Sequence, residues 1–75
     1  MSETIPRLNA SQAIKIVEKA GFVLMRQSGS HKIYKNEKGT RITIPYHRGK
    51  ILHPKIVKSI MKDAELTSVA LRALL

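Results

Sequence analysis

A chain of 75 residues without cysteine has room for one small domain, and it excludes a disulfide framework and any zinc site built on thiolates. Fourteen Lys or Arg against five Asp or Glu give a formal net charge of +9, which points to a polyanion and leaves few acids for paired-carboxylate chemistry. At 43% hydrophobic residues the chain is a folded body instead of a basic tail, and such domains meet nucleic acid more often than an acidic membrane or protein.

Residues 1–8 read as an arm, since Pro6 restricts its predecessor and no apolar period has begun. Asn9 is placed to cap a helix, with Gln12 three residues on as its capping-box partner. Ala10, Ala13, Ile14, Val17 and Ala20 recur at helical spacing, and Gly21 should end the helix with Phe22 folding back on its last turn.

Two short β-prone runs follow, Val23 to Gln27 and His31 to Asn36, joined by Ser28-Gly29-Ser30. Alternation puts Val23 and Met25 on one face of the first, Leu24 and Arg26 on the other. In the second, Ile33 shares a face with His31 and Lys35, opposite Lys32 and Tyr34. If Ile33 faces inward, His31 belongs at the rim of the core, where partial desolvation would favour a neutral base. Asn36 to Gly39 is a polar turn, and Thr40 to Pro45 a third strand with Ile42 and Ile44 inward.

Tyr46-His47-Arg48-Gly49-Lys50 is a basic loop. Pro54 opens a second helix with His53 as its cap, and Ile56, Val57, Ile60, Met61 and Ala64 form its apolar stripe. Thr67 or Ser68 can cap a short last helix within residues 67–75, whose leucines either close the core or join a partner. The expected fold is one α+β domain over residues 1–75: an α-β-β-β-α sandwich with a three-stranded antiparallel sheet and its helices on one face. The same element order occurs in double-stranded RNA-binding domains.

The chemistry open to these residues is narrow. His31, His47 and His53 have no carboxylate at ligand spacing, no acid orients a histidine near Ser28 or Ser30, and Gly29 and Gly39 lie in hairpin turns, away from any helix start. No metal and no cofactor is expected. RNA cleavage remains, because the substrate brings its own nucleophile, the ribose 2′-OH. One histidine can deprotonate that hydroxyl, cations can offset the charge on the phosphorane, and a second donor can protonate the leaving 5′-oxygen. His47, Lys32 and Tyr34 are left open as that donor.

Lys19-Ala20-Gly21-Phe22, Gly29-Ser30-His31 followed by Tyr34, Ile44-Pro45 with His47, and the helix from Pro54 to Ala64 together resemble the HicA family of toxin mRNA interferases, also called YcfA-like. The resemblance spans roughly residues 7–66. It implies a fold similar to the double-stranded RNA-binding domain, mRNA as substrate, a single catalytic histidine, and a bacterial or phage origin. It further implies the toxin role in a type II toxin–antitoxin system, with a tightly bound HicB-like antitoxin in a hetero-oligomer. On this chain the catalytic role falls on His31, with Gly29 and Ser30 shaping its turn. A leucine-rich tail beyond Leu66, and Ile51-Leu52-His53 where more polar residues are usual, depart from the family pattern.

Arg26, Lys32, Lys35, Arg41, Arg48 and Lys50 are candidate phosphate contacts, about half of which should matter. His47 is either a solvated loop residue or a phosphate contact, and Tyr34 packs on the sheet or stacks a base. The alternative to a ribonuclease is a non-catalytic RNA-binding module with the same cations. No apolar run reaches the roughly 18 residues of a membrane span, and Met1-Ser2-Glu3-Thr4 is unlike a signal peptide, so a cytoplasmic protein without a membrane partner is expected.

Overall fold

A computed structural model describes residues 6–75, which form α1 (Ala10–Lys19), β1 (Val23–Ser28), β2 (His31–Lys35), β3 (Arg41–Pro45), α2 (Pro54–Asp63) and α3 (Ser68–Ala73). The strands make an antiparallel sheet in the order β1-β2-β3, and α1 and α2 both pack against β3. This is the expected α+β layout, with one sheet face under helices and the other bare among the described residues.

Local signals place the elements. Asn9 and Gln12 form a reciprocal capping box: the Asn9 side chain accepts from the Gln12 N–H at 2.8 Å, and the Gln12 side chain accepts from the Asn9 N–H at 3.0 Å. At the other end of α1, Phe22 N–H donates to the Val17 carbonyl and Gly21 N–H to that of Glu18. That paired closure requires a left-handed residue, supplied by Gly21 at φ 95°, and it drives Phe22 into the core. Helix α2 starts on Pro54, with His53 Nδ1 accepting from the Lys55 N–H at 3.0 Å, so His53 is a cap. Thr67 caps α3 by accepting from the Ala70 N–H.

The core joins Leu8, Ala10, Ala13, Ile16 and Val17 to Phe22, Tyr34, Ile42 and Ile44, and closes with Leu52, Val57, Ile60 and Leu71. Leu71 and the half-buried Leu74 settle the open question of the tail: its inner leucines close the core. Lys19 ties the end of α1 to this tail by donating from Nζ to the Leu74 carbonyl at 3.0 Å.

Four expectations are corrected. The proposed arm is core at its last residue: Leu8 is fully buried and its carbonyl accepts from the Leu52 N–H at 2.7 Å, while residues 1–5 of that arm lie outside the described residues. Helix α1 buries Ile16, absent from the expected stripe, and leaves Ile14 only partly covered. In β2 the inward residue is Tyr34, paired with the buried Ile42, whereas Ile33 pairs with the exposed Thr43. The sheet face of β2 is thus inverted relative to the expectation, because the large ring of Tyr34 fills the space beneath the helices. In β1 a bulge between Leu24 and Arg26 shifts the register, so that Arg26 pairs with Ile33 and joins the outer face with Val23.

Candidate active site

His31 stands at the start of β2, immediately after a two-residue turn. Gly29 and Ser30 form that turn, and Ser28 pairs directly with His31. Gly29 has φ 58° while Ser30 does not enter the left-handed region, the pattern of a type II′ hairpin with glycine first. A Cβ at Gly29 would meet nothing within 4 Å, so the requirement for glycine is the backbone conformation and not space. Gln27 fastens the turn by donating from Nε2 to the Gly29 carbonyl at 3.0 Å.

The imidazole is exposed. The partial desolvation expected at the core rim is absent, for the reason given above: its face of β2 is the bare one. Across the sheet His31 is paired with Pro45, and beyond that pair the Tyr46 N–H donates to the Ser30 carbonyl at 2.6 Å, anchoring the start of the basic loop to the hairpin turn. The turn that carries His31 is therefore held by its own backbone and by β3.

Neighbours on the same face follow from the register. Ser28 lies directly opposite His31, and Arg26, two residues earlier in β1, is its diagonal neighbour at a spacing of roughly 7–8 Å, within reach of an arginine side chain. Without the bulge Arg26 would fall on the helix-covered face. The bulge is what makes this pairing of imidazole and guanidinium face to one side.

The other candidate residues divide by position. Lys32 follows His31 but takes the opposite face, pairing with Ile44, and its Nζ lies 4.4 Å from the centroid of the Tyr46 ring. His47 and Lys50 line a hollow of about 280 Å³ with Pro45, Leu52, His53 and Ile56, and Arg48 is exposed in the same loop. Lys35 and Arg41 pair with each other at the far end of β2 and β3, some four residues and about 13 Å from His31. Together with Arg26, Met25 and Ile33 they line a hollow of about 360 Å³ on the bare face.

Tyr34 is 2% exposed, so its ring offers no face to a base and no proton donor to a substrate. That removes it from the RNA contacts and from the open list of second donors. Burial raises its pKa above the ordinary 10.0, with Glu18 adding to the effect. Tyr46 was not among the expected site residues. Continuing the inward parity of Ile42 and Ile44 by one step, to an aromatic at the edge of a basic loop, would have found it. Among the described residues no group of three or more His, Asp or Glu could hold a metal ion, and no helix is long and apolar enough to cross a membrane.

Fold and site define a class: a small basic αβββα domain that presents one histidine from a glycine-led hairpin turn. The chain belongs to the HicA toxin family of bacterial toxin–antitoxin systems, whose family model matches residues 10–66, from the first residue of α1 to just past α2. A search of curated proteins finds no match.

Proposed function

We propose that this toxin is an endoribonuclease that cleaves mRNA without a metal ion, uses His31 as its catalytic residue, and is silenced by a HicB-like antitoxin. The exposed imidazole of His31, on one sheet face with Ser28 and Arg26 and inside the span that matches the HicA toxin, carries this proposal.

The step needs little machinery. His31, as the neutral imidazole, takes the proton of a ribose 2′-OH as that oxygen bonds to the adjacent phosphorus. The bond from phosphorus to the 5′-oxygen breaks, leaving a 2′,3′-cyclic phosphate on one product. The 5′-oxygen takes a proton from a second donor and leaves as a hydroxyl. Arg26 is the cation on the His31 face that can offset the charge gathering on the phosphorane, and a guanidinium suits two phosphate oxygens at once. Of the two candidates left for the second donor, His47 follows Tyr46, whose N–H is anchored to the hairpin turn, whereas Lys32 takes the opposite face of the sheet.

Arg48 and Lys50 in the basic loop, with Lys35 and Arg41 further along the bare face, extend a cationic track for the phosphate backbone. A fold like that of double-stranded RNA-binding domains and a place in the bacterial cytoplasm both accord with this function, as does a response to stress through the toxin–antitoxin pair.

Purified protein incubated with a long RNA in excess EDTA should cut it. His31→Ala should lower cleavage by at least about a hundredfold, the usual contribution of one acid–base group, while keeping most of the RNA affinity. Binding without cleavage by the unaltered protein would leave an RNA-binding module in place of an enzyme, and full activity in His31→Ala would remove His31 from catalysis.

A further inference from the structure

Between the end of β3 and the start of α2 lies the hollow of about 280 Å³ that His47 and Lys50 help to line. Its walls are apolar: Pro45, the buried Leu52, the half-buried Ile56, and Ile51, which is 57% exposed. Backbone contacts hold them in place. Leu52 N–H donates to the Leu8 carbonyl at 2.7 Å, Ile51 bridges to Asn9, and Lys50 N–H donates to the His47 carbonyl at 3.1 Å. A preformed apolar hollow with a few polar groups at its edge is the usual form of a small-ligand site.

The polar edge has a fixed sense. His53 lines the same hollow, and its Nδ1 accepts from the Lys55 N–H at 3.0 Å, so the neutral ring carries its proton on Nε2 and has only a donor left to offer. Lys50 is likewise a donor at Nζ. The hollow is also close to the reacting histidine. Pro45 stands directly opposite His31 across the sheet, so this lining begins one strand spacing, about 5 Å, from the backbone of His31.

We infer that this hollow is a nucleobase subsite for a nucleotide flanking the cut phosphate, and that it takes a keto base, uracil or guanine, whose carbonyl oxygen accepts from His53 Nε2. The inference rests on the proposed function for its substrate, RNA.

The chemistry of the lining selects this occupant. A phosphate or a sugar gains nothing from apolar walls, whereas a base brings flat faces to pack against Pro45 and Ile51 and a polar edge to meet His53. Donors at that edge select among bases. Uracil and guanine turn a carbonyl oxygen toward a donor, while cytosine and adenine carry an amino group in its place, which sets donor against donor and leaves both unpaired. His53 thus serves twice, capping α2 through Nδ1 and reading the base through Nε2, and it takes no part in proton transfer.

The test uses DNA oligonucleotides that carry a single ribose, so that one phosphate is cleavable, with each of the four bases in turn on either side of it. In excess EDTA, uracil or guanine at one of these two positions should raise kcat/KM at least about tenfold over cytosine or adenine there. In His53→Asn that ratio should fall to near one with the thermal midpoint kept, since asparagine retains a capping oxygen and withdraws the ring. Ile51→Ser alters an exposed wall without touching the core, and it should raise KM severalfold with little change in kcat.

Rates that ignore the base on both sides, or a ratio that survives in His53→Asn, overturn the subsite and leave the His31 chemistry in place. A protein that cuts no strand overturns the proposed ribonuclease, and binding then decides the subsite. Oligouridylate should be held at least about fivefold more tightly than oligocytidylate by the unaltered chain, and the two equally by His53→Asn. Equal affinities in the unaltered chain would remove the subsite.

Discussion

Tyr34 is the residue on which the sheet turns. By filling the space beneath α1 and α2 it fixes which face of β2 is inward, and hence that His31, three residues earlier, faces out. Its buried phenol resists ionisation, because burial disfavours the phenolate and the carboxylate of Glu18 adds repulsion. The folded state therefore holds this proton more tightly than the unfolded chain does. The resulting stability is fully present below the ordinary pKa of 10.0 and is lost as pH rises through the higher folded value. Urea midpoints measured from pH 8 upward should fall more steeply beyond pH 10 in the unaltered protein than in Tyr34→Phe, which has no proton to lose there. Parallel curves would show that the phenol is not held by the fold.

At the scale of elements, helix α2 ends on an unusual residue. Leu66 N–H donates to the Met61 carbonyl and Glu65 N–H to that of Lys62, the same paired closure that ends α1, but the left-handed position is taken by Glu65 at φ 56°. A side chain in that conformation costs about 1–2 kcal/mol, whereas glycine adds roughly 0.5–1 kcal/mol of unfolded-state entropy. The ion pair of Glu65 with Lys38, at 3.6 Å between mostly exposed side chains, contributes little to the balance. Glu65→Gly should accordingly stabilise the protein by about 0.5–1 kcal/mol, read as a higher urea midpoint with an unchanged slope. A lower midpoint would mean that the pair with Lys38 outweighs the backbone strain.

These elements also mark what the sequence makes legible. The caps at Asn9 and His53, the closure at Gly21, the hairpin glycine and the alternation of β3 are all local, because each depends on residues within one turn or one strand. The inward face of β2 is not local. Ile33 and Tyr34 are both acceptable core residues, and only the volume left by the helices chooses the ring. The bulge at Met25 leaves no mark in the alternation of Val23 to Ser28, so alternation alone puts Arg26 on the wrong face and hides its place beside His31. Leu8 looked like part of an arm because its partner, Leu52, lies more than forty residues away in the chain. At the site, the hairpin histidine can be singled out from its family pattern and Tyr46 from the inward parity of Ile42 and Ile44, while the sheet neighbours of His31 emerge only when the register is known.

For the whole molecule, a thin two-layer fold leaves one sheet face uncovered and a formal net charge of +9 distributed around it. In the proposed function both properties have a use, since the toxin binds a polyanion and is stopped by a protein. The central claim is chemical: the substrate supplies the nucleophile, and His31 moves its proton. It is tested most directly by mapping the main cut in an RNA oligonucleotide treated with the protein in excess EDTA, then repeating the reaction with a single 2′-deoxyribose on the 5′ side of that bond. The all-ribose strand should be cut and the substituted strand should resist at that position; cleavage of the substituted bond at an equal rate would contradict a ribose 2′-OH nucleophile.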